Sequence, residues 1–222
     1  MSKPGAGQLS AASSRRSARS TRLLATIALG GAVLYVLVDV ALQLLPPHYS
    51  VISEAESNLA VGPYGWIMNL NFLARGVATV CAVIALSRFG PRSRLQRVGL
   101  ALLLLAGAAS AALAFLPTDI PPIDAPGLAP TTTLGAAHLL VAATGFVAAL
   151  LGFLLLTAWL RTSELRQAFP AAVILTAVAL AGLVWLGIAA TVAPGVIGLA
   201  ERLCLAGVLG WVIAVSAVIR RA

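Results

Sequence analysis

Six predominantly apolar runs, at residues 23–45, 67–87, 98–116, 134–160, 171–193 and 199–219, constrain this chain more than any other feature. Each is close to the ~20 residues with which an α-helix crosses a bilayer. In hydrocarbon every backbone N–H and C=O must be satisfied within the segment, so such runs are helices. The expected fold class is therefore all-α, a polytopic membrane protein built as a six-transmembrane-helix bundle. One domain covers residues 23–219, and residues 1–22 are expected to be a disordered basic cytoplasmic tail. Only 10% of the 222 residues are charged, where a soluble domain would carry about a quarter. The first run is too long for a signal-peptide core of ~7–15 residues, and no clear small-x-small cleavage site follows it. It is expected to be a retained helix.

The net charge of +8 would suit a nucleic-acid partner, but its distribution argues against one. Thirteen of the fifteen Lys and Arg residues fall in the N-terminal tail, the 88–97 loop, the 161–166 loop and the C-terminus. Asp39, Glu54, Glu56, Asp119, Asp124 and Glu201 all fall towards the other side. Six helices with both termini in the cytoplasm satisfy the positive-inside rule. The expected partner is the lipid bilayer. Tyr64 and Trp66 suit one aromatic belt and Trp159 the other.

Local signals place the ends of the runs. Thr131 to Thr133 offer an N-cap to the fourth run, and Pro170 stands where a helix start tolerates proline. Ser53 to Glu56 fits a capping box, which predicts a short surface helix from Glu54 to about Ala60. Gly135, His138, Ala142, Gly145, Ala149 and Gly152 form a small-residue face that predicts close helix packing. Leu150 lies on another face, expected to tolerate added volume better. Cys81 and Cys204 differ in expected depth by more than about 10 Å, so no disulfide is expected.

The polar residues inside the runs are the candidate site. Tyr35, Asp39 and Gln43 fall at i, i+4, i+8, as do Asn71, Arg75 and Thr79. Each set shares one helix face. A charge within a span needs a partner or a wet cavity. Asp39 and Arg75 lie at similar expected depth, about 10–14 Å from one surface, so a pair between them is the simplest arrangement. It would either fix helix register or line a polar pocket. Glu201 and Arg202 suit a helix start, with Glu201 favourable to the dipole and Arg202 snorkelling outward. Asp39, Asn71, Arg75, Asp119, His138 and Glu201 are the residues expected to line a cavity. No His-x-x-His or His-Glu-x-x-His pair supports a metal, no nucleophile-elbow motif supports Ser53, Ser57 or Ser110 as a nucleophile, and no phosphate-binding loop is present. No cofactor is expected.

Three segments carry a resemblance. They are Pro47-His48-Tyr49-Ser50-Val51-Ile52-Ser53-Glu54, then Gly62-Pro63-Tyr64-Gly65-Trp66-Ile67-Met68-Asn69, and Phe115-Leu116-Pro117-Thr118-Asp119 with the His138 run. With the six-run layout, they resemble a family of bacterial membrane proteins catalogued as domain of unknown function 998. The resemblance covers roughly residues 23–219 and implies a bacterial plasma-membrane location. It implies no established activity and supplies no catalytic residue. The leading functional expectation is a membrane protein whose outward-facing polar cavity binds a lipid headgroup or small amphiphile. A membrane-embedded lipid hydrolase, with or without a metal, and a small-molecule transporter are the alternatives.

Overall fold

The computed structural model describes residues 6–45, 48–120 and 130–222. Among them are six long helices: α1 (Ala6–Gln43), α2 (Gly65–Leu86), α3 (Arg94–Leu113), α4 (Thr133–Leu160), α5 (Phe169–Val192) and α6 (Ile197–Arg221). Each is long and apolar enough to cross a membrane. The chain is an all-α, multi-pass membrane protein. Pro46 and Asp124 lie outside the described residues.

Helix ends follow local chemistry. The Ser93 hydroxyl accepts the Gln96 N–H at 3.2 Å, so α3 starts four residues ahead of its apolar run. The Thr132 hydroxyl accepts the Gly135 N–H at 2.9 Å and starts α4, as the threonine cluster predicts. Pro170 sits in the first turn of α5. At the N-terminus, α1 begins at Ala6, so helical geometry covers most of the basic segment expected as a disordered tail. Residues 6–22 hold four alanines and four arginines, which favour helix, beside five serines, which favour it less.

The surface helix expected from Glu54 is a shorter 3₁₀ turn, Glu56–Ala60. Ser53 does not cap it: its hydroxyl donates to Ser50 Oγ, and the Glu54 carboxylate accepts the Ser50 N–H. Glu56 therefore folds inward and is 3% exposed. Gly62 follows at φ 87°, a left-handed turn that glycine adopts without strain.

The helices form a ring in chain order. Neighbours pack along α1–α2, α2–α3, α3–α4 and α5–α6, and α6 closes back on α1. Among successive helices, α4 and α5 touch least. The small-residue face of α4 packs on α3. A Cβ on Gly145 would stand 3.1 Å from Ala109 Cβ, and one on Gly152 3.1 Å from the Gly99 carbonyl. Leu150, expected on a more tolerant face, is itself buried. The α5–α6 approach is tighter. A Cβ on Gly182 would collide with the Cys204 backbone, and one on Gly207 with the Ala179 backbone. In lipid, where hydrophobic burial does not drive helices together, such backbone proximity is a main source of association. Phe153 and Trp211 stack in the core with centroids 4.5 Å apart. Both cysteines are free.

Charge separates the two ends of the ring. At the basic end, Arg88 donates to Thr21 Oγ1 at 3.0 Å and to the Ser20 hydroxyl, tying the N-terminal segment to the α2–α3 loop. Trp159, expected in an aromatic belt, is buried there, and its indole N–H donates to the Pro91 carbonyl at 3.0 Å. At the acidic end, the 51–60 segment folds over the start of α6, where Leu199 N–H donates to Ile52 O at 3.2 Å. Gly198 is essential to that closeness, because a Cβ would strike the Glu54 carbonyl.

Candidate functional site

The acidic end holds two arginine-centred clusters and one cavity. The first cluster is built on Arg75 of α2. Its Nη1 donates to the Tyr35 hydroxyl at 3.0 Å and its Nε to Ser110 Oγ at 2.7 Å. The guanidinium lies over the Tyr35 ring at 4.6 Å and the Phe72 ring at 5.5 Å. Such aromatic faces attract a partly desolvated cation. The Tyr35 hydroxyl in turn donates to Glu56 Oε2 at 2.9 Å. The Ser110 hydroxyl donates to the Phe72 carbonyl at 2.9 Å. Arg75 is thus linked through Tyr35 to a buried carboxylate.

Glu56 meets a second acid. Its backbone N–H donates to Glu201 Oε2 at 2.6 Å. Burial, then the charges of Glu201 and Asp39, push the Glu56 carboxyl up to about 8, with Arg75 partly opposing them. A buried carboxyl beside other carboxylates disfavours its charged form. The neutral form of this carboxyl is therefore favoured over its ordinary range.

The expected Asp39–Arg75 pair does not form. Asp39 instead meets Arg202 of α6, with Nη2 to Oδ1 at 3.6 Å, and its other oxygen accepts from Gln43 Nε2 at 2.6 Å. Arg202 does not snorkel away: its Nη2 also donates to the Tyr49 hydroxyl at 3.0 Å. The reason lies along α1. Tyr35, one turn deeper than Asp39, meets Arg75, while Asp39 stands level with the start of α6. This second cluster is strained for partners, since Asp39 Oδ1 and Arg202 Nε are buried without a hydrogen bond.

The cavity, of 240 Å³, opens between the 55–58 segment, α2, α4, α5 and α6. Four of the six expected residues line it: Arg75, Asp119, His138 and Glu201. Asp39 and Asn71 do not. Asn71 is buried and donates to the Tyr35 carbonyl at 3.1 Å, which fixes α2 against α1. Asp119 braces the rim, accepting from the Thr131 and Thr132 backbones at 2.7 and 2.8 Å. The hydrogen bonds from Thr132 first, then Thr131, hold its carboxyl below the usual range. His138 Nδ1 lies 2.6 Å from the Leu116 carbonyl. A carbonyl only accepts, so Nδ1 carries hydrogen and a neutral His138 leaves Nε2 as an acceptor.

A smaller apolar pocket of 70 Å³ adjoins the cavity deeper in the bundle. The two share Arg75, Leu113, Ala142 and Phe146 as walls. Acidic and basic groups border the cavity, and aliphatic and aromatic carbon line most of the smaller pocket. Among the described residues, no three His, Cys, Asp or Glu side chains converge to hold a metal.

Sequence reasoning missed Glu56, the most buried acid of the site, and assigned it to a surface cap. No local signal separates Glu56 from Glu54: the inward turn of Glu56 is held by its backbone N–H on Glu201 of α6, a contact far along the chain.

The family model described as protein of unknown function (DUF998) matches residues 10–218, and the chain belongs to that family. No curated protein and no solved structure matches it.

Proposed function

We propose that this member of the family binds a membrane amphiphile, its headgroup in the cavity at the acidic end and its hydrocarbon towards the apolar pocket. The single observation behind this reading is that two neighbouring spaces of unlike lining share walls. A 240 Å³ cavity bordered by Arg75, Glu56, Glu201 and His138 has Arg75, Leu113, Ala142 and Phe146 in common with a smaller, more apolar pocket. Binding sites are concave, mostly apolar and oriented by a few polar groups, and adjacent spaces of this polarity suit a molecule with a polar head and an apolar body.

On this reading the protein lies in a bacterial plasma membrane with its acidic end outward and both termini in the cytoplasm, an orientation that the charge asymmetry supports. The cavity then faces the outer leaflet. Hydrolysis draws less support: Ser110 is occupied by Arg75 and the Phe72 carbonyl, and among the described residues no serine or threonine hydroxyl is hydrogen-bonded to His138. Transport draws less too, because each span is a continuous helix, whereas transporter sites favour broken ones.

The test is purification in a mild detergent followed by native mass spectrometry. A bound lipid or amphiphile of defined mass, lost on Arg75→Leu and retained on the lipid-facing Leu151→Phe, is the expected result. Protein that stays bare under conditions preserving other lipid complexes, and gains no thermal stability from any added amphiphile, would defeat the reading.

A further inference from the structure

We infer that the headgroup taken by this cavity is a cation, an alkylammonium in chemical class, seated against Glu56 and Glu201. The inference rests on the amphiphile reading and adds the sign of the headgroup's charge.

Three observations carry it. The first is the charge count around the site. Asp39, Glu56 and Glu201 face only Arg75 and Arg202 among the described residues. With Glu56 ionised, three carboxylates against two guanidinium groups leave the site one positive charge short; with Glu56 protonated the charges balance. The second is the direction of its unfilled bonds. Glu56 is 3% exposed and borders the cavity, yet its Oε1 has no hydrogen-bond partner among the described residues. Glu201 and Asp119 add acceptors to the same walls, and neutral His138 adds Nε2. Arg75 is the only cationic side chain among the lining residues, and two of its nitrogens are already engaged. Ser57, Asn58 and Thr118 can donate as well as accept, but carboxylates outnumber the single cationic side chain on these walls, and that excess attracts a cation by its charge, with or without an N–H. The third is aromatic. Phe72 and Phe146 both border the cavity, and ring faces attract alkylammonium groups.

Binding of a cation then competes with the proton on Glu56. The groups that face this carboxyl are Tyr35 and Asp39 on α1, Arg75 on α2, and Glu201 and Arg202 on α6, with Asp119 and His138 across the cavity. With Glu56 titrating at about 8, the proton must leave before the cation settles. Affinity for a cation that does not itself titrate rises as pH rises towards 8, by about tenfold per unit for one proton released, and levels off above it.

The experiment uses the full chain in phosphatidylcholine nanodiscs and three decyl probes: decyltrimethylammonium, decyl maltoside and decyl phosphate. Retention over empty nanodiscs is measured from pH 6 to pH 9. The expected result is preferential retention of decyltrimethylammonium with the stated pH rise. Glu56→Gln, checked for folding by thermal unfolding, loses the pH rise and at least about tenfold in affinity, the equivalent of one proton-coupled unit. Because the comparison of probes uses the wild-type protein, a Glu56 variant that fails to fold leaves the test intact. Tighter retention of decyl phosphate or decyl maltoside, or pH-independent retention of decyltrimethylammonium, would overturn the cationic assignment while leaving an amphiphile site in place. Retention of none of the three would count against the amphiphile reading itself.

Discussion

The seams on either side of α5 are made from the same kind of residue and do opposite things. On one side, Gly182 and Gly207 bring the α5 and α6 backbones together so closely that a single added Cβ would overlap main-chain atoms. On the other, Gly187 borders the cavity, and a Cβ there would meet nothing within 4 Å. Ala142 and Ala143 of α4 face the same opening. A small residue in a membrane helix removes volume; whether a neighbour fills the space or leaves it open is settled by where the helix axes run. One seam is therefore an assembly surface and the other a binding space. α5 is held to the ring mainly by α6.

The largest expected effect tests the closed seam. Gly182→Leu must push the α5 and α6 backbones apart, so it should cost about 3 kcal/mol or more, read as a large loss of thermal stability in detergent or as failure to fold. Gly182→Leu and Gly187→Leu proteins of equal stability would break the comparison outright.

The α1–α6 contact is closed by a different chemistry, the ion pair of Asp39 and Arg202. Asp39→Leu and Arg202→Leu should each cost up to about 3 kcal/mol, because each strands a mostly buried charge, and the double variant should recover much of the loss. Additive losses in this cycle would show that the two groups do not interact. The same cycle between Asp39 and Arg75 should be close to additive.

A third closed surface, α3–α4, is expected to yield less. Gly145→Leu meets a side chain, Ala109 Cβ, rather than backbone, and should cost about 2 kcal/mol. Leu151, 46% exposed, is the matched control, and Leu151→Phe should leave the melting temperature almost unchanged. Equal losses would mean that the α4 small-residue face is not what holds α3.

The smallest stability effect belongs to the open seam. Gly187→Leu should change stability by less than about 0.5 kcal/mol while reducing amphiphile binding by filling the cavity. A variant that keeps both its stability and its binding would show that this opening is not part of the site.

A pH series sharpens the contrast at the carboxylates. Glu56 has a folded-state pKa raised to about 8, so between the ordinary carboxylate range and pH 8 the folded protein binds more protons than the unfolded chain. Stability from this group is present at low pH and declines as pH rises towards 8. Glu56→Gln should flatten that slope in a thermal-unfolding series. A slope that survives the substitution would assign it to another group.

Much of this protein is written locally. Run length and hydropathy determined six helices; the clustering of Lys and Arg determined which loops share an end; Ser93, Thr132 and Pro170 determined where helices start. These properties depend on a residue and its near neighbours, and they add along the chain. The sequence also required that Asp39 and Arg75 find partners, because a lone charge in a span is costly. It did not determine which partners. That choice depends on the rotation of each helix about its axis, where one residue is about 100°, and on relative depth, where one turn exchanged Tyr35 for Asp39 opposite Arg75. The inward fold of Glu56 depended on Gly198 admitting the 51–56 segment onto α6, a contact spanning some two-thirds of the chain. Only the tertiary structure decided these pairings, and with them the difference between a glycine that closes a seam and a glycine that leaves one open.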